Sequence, residues 1–274
     1  MATLKDIIEN KKREIGLDKK QESIEKLKEK IGILLPTRDF SGSLSKSGIN
    51  IIAETKIKSP TNLQRINDKS MRDLAKYYEK SNVVAISVLT DKNYFGGDKA
   101  IMQKIKEDTS KPILQKDFII DEYQIYQARA YGADAILLIS SILSKDKIKK
   151  FIELSRELEM ECLVEFNNEK DLNNIPDTAK IYGRNYRIIN YDTDFKKANI
   201  HQDIYKSPDY IEKIPANAIK VAESRIMRKE DVNYLKRKGF NAFLVGTAFA
   251  LSKNIKMTIE EFTNANSFSK KGFT

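Results

Sequence analysis

Between Asn50 and Gly246 the chain repeats one pattern eight times, a short apolar run followed by a polar or amphipathic stretch. The runs are Asn50–Thr55, Val83–Leu89, Lys111–Lys116, Ala135–Ile139, Cys162–Phe166, Ala179–Arg184, Ala218–Glu223 and Ala242–Gly246. They are rich in Ile, Leu and Val and lack strict polar alternation, as expected of strands buried on both faces of a parallel sheet. Helical periodicity fills the intervals at Met71–Glu79, Glu122–Tyr131, Lys145–Glu157 and Glu230–Lys238. Gly132 and Gly239 follow two of these, where a helix C-terminus favours glycine. Eight such units predict an α/β chain closed as a (β/α)8 TIM barrel, which takes roughly 250 residues. A doubly wound open sheet is the competitor, but no GxGxxG turn follows the first run and no GxxxxGK[ST] loop occurs anywhere.

Residues 1–48 precede the repeats. Leu4, Ile7 and Ile8 fall at helical spacing, as do Ile24 and Leu27 before Ile31 and Leu34, so this segment reads as helix followed by loop. The whole is expected to be one domain over residues 1–274, with an N-terminal helical extension (1–48), the barrel (49–262) and a C-terminal tail (263–274).

Composition narrows the function. One cysteine makes no internal disulfide and no Cys-rich zinc site, and one histidine argues against His-cluster metal sites and His-based catalysis. No apolar run reaches the roughly 18 to 20 residues of a membrane span, and the N-terminus has no apolar leader core. A cytoplasmic, monomeric protein with no membrane partner is expected. The 49 Lys and Arg against 39 Asp and Glu give a net charge of +10, compatible with nucleic acid or with a small anion. Basic and acidic residues are interleaved, as in KKREIGLDKKQESIEKLKEK, and no nucleic-acid motif accompanies them. Solvated helix faces are therefore expected for these lysines, and no nucleic-acid partner.

The C-terminal ends of barrel strands carry catalytic groups. Here the first run ends in Glu54 and Lys56 before Ser59, the third in Lys116-Asp117-Phe118, and the fifth in Glu165. The sixth ends in Gly183, Asn185 and Arg187, the seventh in Glu223-Ser224, and the eighth in Gly246-Thr247. A charge at the end of an apolar strand costs desolvation unless paired or used, and one such residue is easily a structural ion pair. Agreement among five strand ends favours a site. Lysines and glutamates converging on one mouth shift each other's proton affinity, as acid–base chemistry requires.

The segments IIAETKIKSP, VLTDKNYFGGD, PILQKDFIIDEYQIYQARAYGADAILLI, LVEFNNEKDL, GRNYR, VAES and AFLVGTA resemble the indole-3-glycerol phosphate synthase family from about Ile51 to Glu261. The resemblance implies closure of an indole ring from an anilino-deoxyribulose phosphate with loss of carbon dioxide and water, without metal or organic cofactor. Its substrate is a phosphorylated small-molecule anion. Carried over by motif, Lys116 resembles the general acid and Lys56 the partner of the substrate carboxylate. Glu165 and Glu54 resemble the carboxylates for proton removal and charge stabilisation, and sequence does not settle which is the base. Asn185 and Arg187 match the substrate-orienting pair, and Glu223 with Ser224 the pair that binds the sugar chain. Phe95 and Phe118 would wall the anthranilate ring, while Ser59, Gly246 and Thr247 fall where the family holds phosphate.

Three departures stand out. Thr61-Asn62-Leu63-Gln64 lacks the glycine usual after Ser59-Pro60. Arg184, Tyr186 and Ile188 replace the usual neighbours of Asn185 and Arg187, and Arg225 stands where the family has a turn glycine. Arg225 is expected either to reach the phosphate itself or to leave that site weakened. Cys162, inside a strand, reads as structural and His201 as a surface residue. The alternatives are a degenerate barrel that binds a phosphorylated ligand without turnover, or a related isomerase barrel such as phosphoribosylanthranilate isomerase, which would need an acid–base cysteine.

Overall fold

The computed structural model describes residues 3–58, 70–187 and 204–264. Eight strands form a closed parallel barrel in chain order, the last pairing with the first. They are β1 (Asn50–Glu54), β2 (Ala85–Leu89), β3 (Ile113–Lys116), β4 (Ala135–Ile139), β5 (Glu161–Phe166), β6 (Ile181–Asn185), β7 (Ile219–Glu223) and β8 (Ala242–Val245). Each overlaps one of the apolar runs, with ends that differ by two residues at most.

Among the described residues twelve α-helices accompany the strands: α1 (Leu4–Gln21), α2 (Ile24–Gly32) and α3 (Phe40–Leu44) before the barrel, then α4 (Met71–Glu79), α5 (Lys92–Phe95), α6 (Lys99–Asp108), α7 (Glu122–Ala130), α8 (Lys145–Glu157), α9 (Glu169–Asn173), α10 (Lys229–Arg237), α11 (Thr247–Ala250) and α12 (Ile255–Thr263). Short polar caps set where they begin. Thr3 and Asp6 form a capping box on α1, Ser70 and Asp73 on α4, and Asp121 and Gln124 on α7. Gly132 and Gly239 take positive φ just beyond α7 and α10, as the sequence predicts.

The extension is more structured than one helix and a loop. Ser23 caps a second helix, which ends at Gly32, so Leu34 lies beyond it. The apolar spacing of Ile24 and Leu27 thus belongs to a separate element, whose Leu27 is buried with Ile15 of α1 and Tyr123 of α7. Covered on one side by α2 and on the other by the barrel, α7 buries residues on nearly every side, Gln124, Gln127 and Arg129 among them. The extension also seals the far end of the barrel, where Asn50 Nδ2 donates to the carbonyl of Leu44.

Alternation along the strands sorts the core into two layers. Ile52, Leu114, Leu163, Ile181, Val221 and Leu244 cluster inside the barrel with Phe40 and Leu44 of α3. Ile51, Ile86, Ile113, Val164 and Phe243 face the surrounding helices. The next inward position on several strands is polar, and that is where the site begins.

Candidate active site

Two residues beyond Ile52, Leu114, Leu163 and Val221 come Glu54, Lys116, Glu165 and Glu223. The period-two rule therefore stacks the charged groups as one layer above the apolar barrel interior. Glu54, Glu165 and Glu223 are 5%, 4% and 0% exposed, so this layer is largely out of water. Lys116 Nζ lies 2.7 Å from Glu223 Oε2 and 3.6 Å from Glu165 Oε2, while Lys56 Nζ lies 3.8 Å from Glu54 Oε1. The other carboxylate oxygen of Glu223 is buried and finds no hydrogen-bond partner among the described residues.

Two glycines make room for these carboxylates. A Cβ at Gly183 would overlap Glu223 Oε1, and one at Gly246 would overlap Glu54 Oε1 and sit 3.0 Å from its Cδ. In the sequence Gly183 is only a strand end; its role is visible once β6 and β7 are paired at Gly183–Val221 and Asn185–Glu223.

Above this layer opens a cleft. Lys56, Lys116, Glu54, Glu165, Asn185 and Arg187 line it, together with Phe95, Phe118, Ser224, Arg225, Gly246 and Thr247. Glu223 sits just beneath, joined to the cleft through Lys116. Ser59 and His201 lie outside the described residues, as do Thr61 to Gln64 and Ile188. Phe95 and Phe118 approach at 6.0 Å between ring centroids, tilted by 43°, and form an apolar wall beside the lysines. Asn185 Oδ1 accepts the backbone N–H of Arg187, and Asn167 Nδ2 donates to the carbonyls of both, which fixes the end of β6. Asp91 and Asp117 also line the cleft; sequence reasoning misses them as site residues, although both lie in segments that carry the resemblance.

Burial and neighbouring charge set the protonation states. Burial would lower the Lys116 ammonium, but Glu223, Glu165 and Glu54 outweigh it and raise its pKa. Lys56 moves the other way, because burial and the cations Arg187 and Lys116 outweigh Glu54. Glu223 is pushed up to about 7 by burial, against the pull of Lys116 and with the push of Glu165 and Glu54. Its pKa therefore lies above the ordinary 4.5, so the folded state holds a proton that the unfolded state releases, and this contribution destabilises the fold as pH rises from about 4.5 to about 7. Glu223→Gln cannot titrate and is expected to lose that decline. Urea unfolding of both proteins at the two ends of the interval measures it; a stability difference that stays constant across the interval rules the upward shift out.

At the mouth, Ser224 and Arg225 take φ of 68° and 62°, two consecutive left-handed residues without a glycine. Arg225 thus holds a backbone conformation that favours glycine despite its side chain, at roughly 1 to 2 kcal/mol per residue. Arg225 and Arg187 each present a buried Nε with no hydrogen-bond partner among the described residues. Burial, and then Arg225, lowers the pKa of Arg187. Two neighbouring guanidiniums of this kind suit a bound anion.

Arg184 is 1% exposed. Its guanidinium stacks near Tyr186 and Tyr210, at 4.8 and 5.5 Å, and donates to the carbonyl of Pro208. These two departures at the end of β6 therefore pack together outside the barrel and leave Asn185 and Arg187 on the cleft side.

The family model for indole-3-glycerol phosphate synthase matches residues 4–262. The chain belongs to the indole-3-glycerol phosphate synthase family. An indole-3-glycerol phosphate synthase of Acetivibrio thermocellus is 40% identical over 264 residues, covering 94% of this chain and 98% of that one. One from Clostridium acetobutylicum is 37% identical, covering 98% and 97%. Solved structures show the same fold at low identity. The tryptophan synthase alpha-subunit of Pyrococcus furiosus gives a TM-score of 0.54 at 16% identity over 78% of this chain and 97% of that one. A 3-hexulose-6-phosphate synthase gives 0.57 at 11%, over 78% and 98%. Membership in the indole-3-glycerol phosphate synthase family reaches into the extension, since the matched residues begin within α1.

Proposed function

We propose that this chain is an indole-3-glycerol phosphate synthase that closes the indole ring of 1-(2-carboxyphenylamino)-1-deoxyribulose 5-phosphate. The observation that carries the reading is the layer of two lysines and three glutamates beneath a wall of two phenylalanines and a pair of arginines. The phenylalanines take the anthranilate ring, Lys56 and Arg187 its carboxylate, and Asn185 orients the chain.

Ring closure begins when the ring carbon bearing the carboxylate attacks the ketone. The oxygen gathers charge as the carbon–carbon bond forms, and the Lys116 ammonium gives it a proton. Loss of carbon dioxide returns its bonding pair to the ring and restores aromaticity. The amine nitrogen then expels the new hydroxyl, which leaves as water on taking a proton from Lys56. Glu165 or Glu54 removes the last proton from the adjoining carbon. One turnover takes up one proton net, because a carboxylate leaves as neutral carbon dioxide. In the free protein Lys116 is paired with Glu223 and holds its proton tightly. A substrate hydroxyl reaching Glu223 and Ser224 weakens that pair and frees the ammonium to act as an acid.

Incubating the protein with this substrate and following indole fluorescence tests the reading. The chain has no tryptophan, so the product is seen without a protein indole background. No fluorescence rise at any substrate concentration would favour the degenerate barrel. An isomerase would need a reactive cysteine, and Cys162 lies in the outer layer with its thiol pushed up to about 12 by burial. No helix among the described residues is long and apolar enough to cross a membrane. We infer a cytoplasmic protein from the lone cysteine, which makes no internal disulfide.

The phosphate falls to Ser59, Gly246, Thr247 and Arg225. Contact with a remote phosphate is uniform binding, so Arg225→Gly is expected to raise KM about 10- to 100-fold with little change in kcat. The same change relieves a left-handed side chain and should raise the unfolding temperature. An unchanged KM would remove Arg225 from the phosphate site.

A further inference from the structure

We propose that Lys11, on the N-terminal extension, is a positioning residue for this reaction, holding the Lys116–Phe118 corner and the Asp91–Phe95 turn in place through one shared ion-pair centre. The inference rests on the roles given above to Lys116, Phe95 and Phe118.

Interleaved charge in this segment predicts solvated lysines, yet Lys11 is only 4% exposed. Its ammonium lies 2.7 Å from Glu14, 2.9 Å from Asp91 and 2.9 Å from Asp117. Asp91 and Asp117 are 1% and 6% exposed, and among the described residues neither pairs with another cation.

Each carboxylate fixes a piece of the cleft. Asp117 stands between Lys116 and Phe118, accepts the Thr90 hydroxyl at 2.6 Å and accepts the Phe118 N–H at 2.7 Å. Asp91 accepts the N–H groups of Tyr94 and Phe95 at 2.8 and 3.3 Å and so caps α5, which carries one wall of the aromatic site. Two further contacts stitch α1 to this turn: Asn93 Nδ2 donates to Glu14 at 2.7 Å, and the Tyr94 hydroxyl to the carbonyl of Asp6 at 3.4 Å. Lys11 is thus the point where the extension, the loop after β2 and the loop after β3 meet. Without its charge, two buried carboxylates repel each other directly behind the general acid and both phenylalanines. The loops separate, and the reacting groups lose their spacing. A displacement of about 1 Å at reacting groups is worth about 100-fold in rate.

Lys11→Met is expected to lower kcat/KM about 100-fold, with kcat down and KM up together, while far-UV circular dichroism stays that of the barrel. Lys11→Arg, which keeps the charge, should recover most of the loss. Adding Asp91→Asn to Lys11→Met should regain about tenfold, since asparagine still caps α5 but removes one of the opposed charges. Wild-type kcat/KM in Lys11→Met overturns the proposal, as does a double variant no better than the single one. If Lys11→Met does not fold, the double variant decides: kcat/KM about tenfold below wild type supports the proposal, and a wild-type value overturns it. Wild-type protein assayed in parallel separates the two readings, because absence of its turnover counts against the proposed function and not against Lys11.

Discussion

Lys116→Met is expected to lower kcat by about 100- to 10,000-fold while substrate still binds, the usual contribution of a positioned general acid. The lysine's ammonium is held within 3.6 Å of two glutamates at the floor of the cleft. Methionine keeps its length and apolar stem, so the barrel interior is little disturbed. Removing the ammonium also leaves Glu223 without its one ion-pair partner among the described residues, and the variant should be less stable as well as slower. Lys56→Met is expected to differ: KM should rise as kcat falls, because the substrate carboxylate loses its counter-charge. Steady-state kinetics with indole fluorescence separates the two patterns. Near wild-type kcat in Lys116→Met would take the acid role away from it.

Gly183→Ala should be nearly as damaging, although the change is one methyl group. Its Cβ would overlap Glu223 Oε1 and stand 3.2 Å from Leu163 Cδ1, and Glu223 is fully buried. The carboxylate must turn, breaking its 2.7 Å contact with Lys116. We expect kcat/KM to fall about 100-fold. Overpacking should also lower stability by about 1 to 3 kcal/mol. Shortening the neighbour relieves the overlap, so Gly183→Ala combined with Glu223→Asp should recover stability relative to Gly183→Ala alone. Kinetics and urea unfolding of the three variants check both effects. A single Gly183→Ala variant with wild-type kcat/KM would show that the position of Glu223 has no bearing on turnover.

Much of this protein follows from rules that act over a few residues. Eight apolar runs of strand length, helices begun by Ser70, Asp121 and Ser144, and glycines at 132 and 239 all depend on neighbours close in sequence. Period-two alternation then places Glu54, Lys116, Glu165 and Glu223 on the inward side of their strands, which is why the polar ends of the runs already point to a shared site. Motif resemblance supplies the family and the residues of the cleft on the same basis.

Tertiary structure decided what depends on distant partners. Nothing near Gly183 in sequence says that a carboxylate 40 positions later needs its missing side chain. Arg184 and Tyr186 look like departures from a motif until Pro208 and Tyr210 close over them. Lys11 sits in a stretch so evenly charged that every lysine reads as solvated, and only closure of the barrel brings Asp91 and Asp117 to it. A charge pattern on one helix cannot tell which ammonium will be desolvated. That depends on which loops fold against the helix, and in this barrel the loops after β2 and β3 do so.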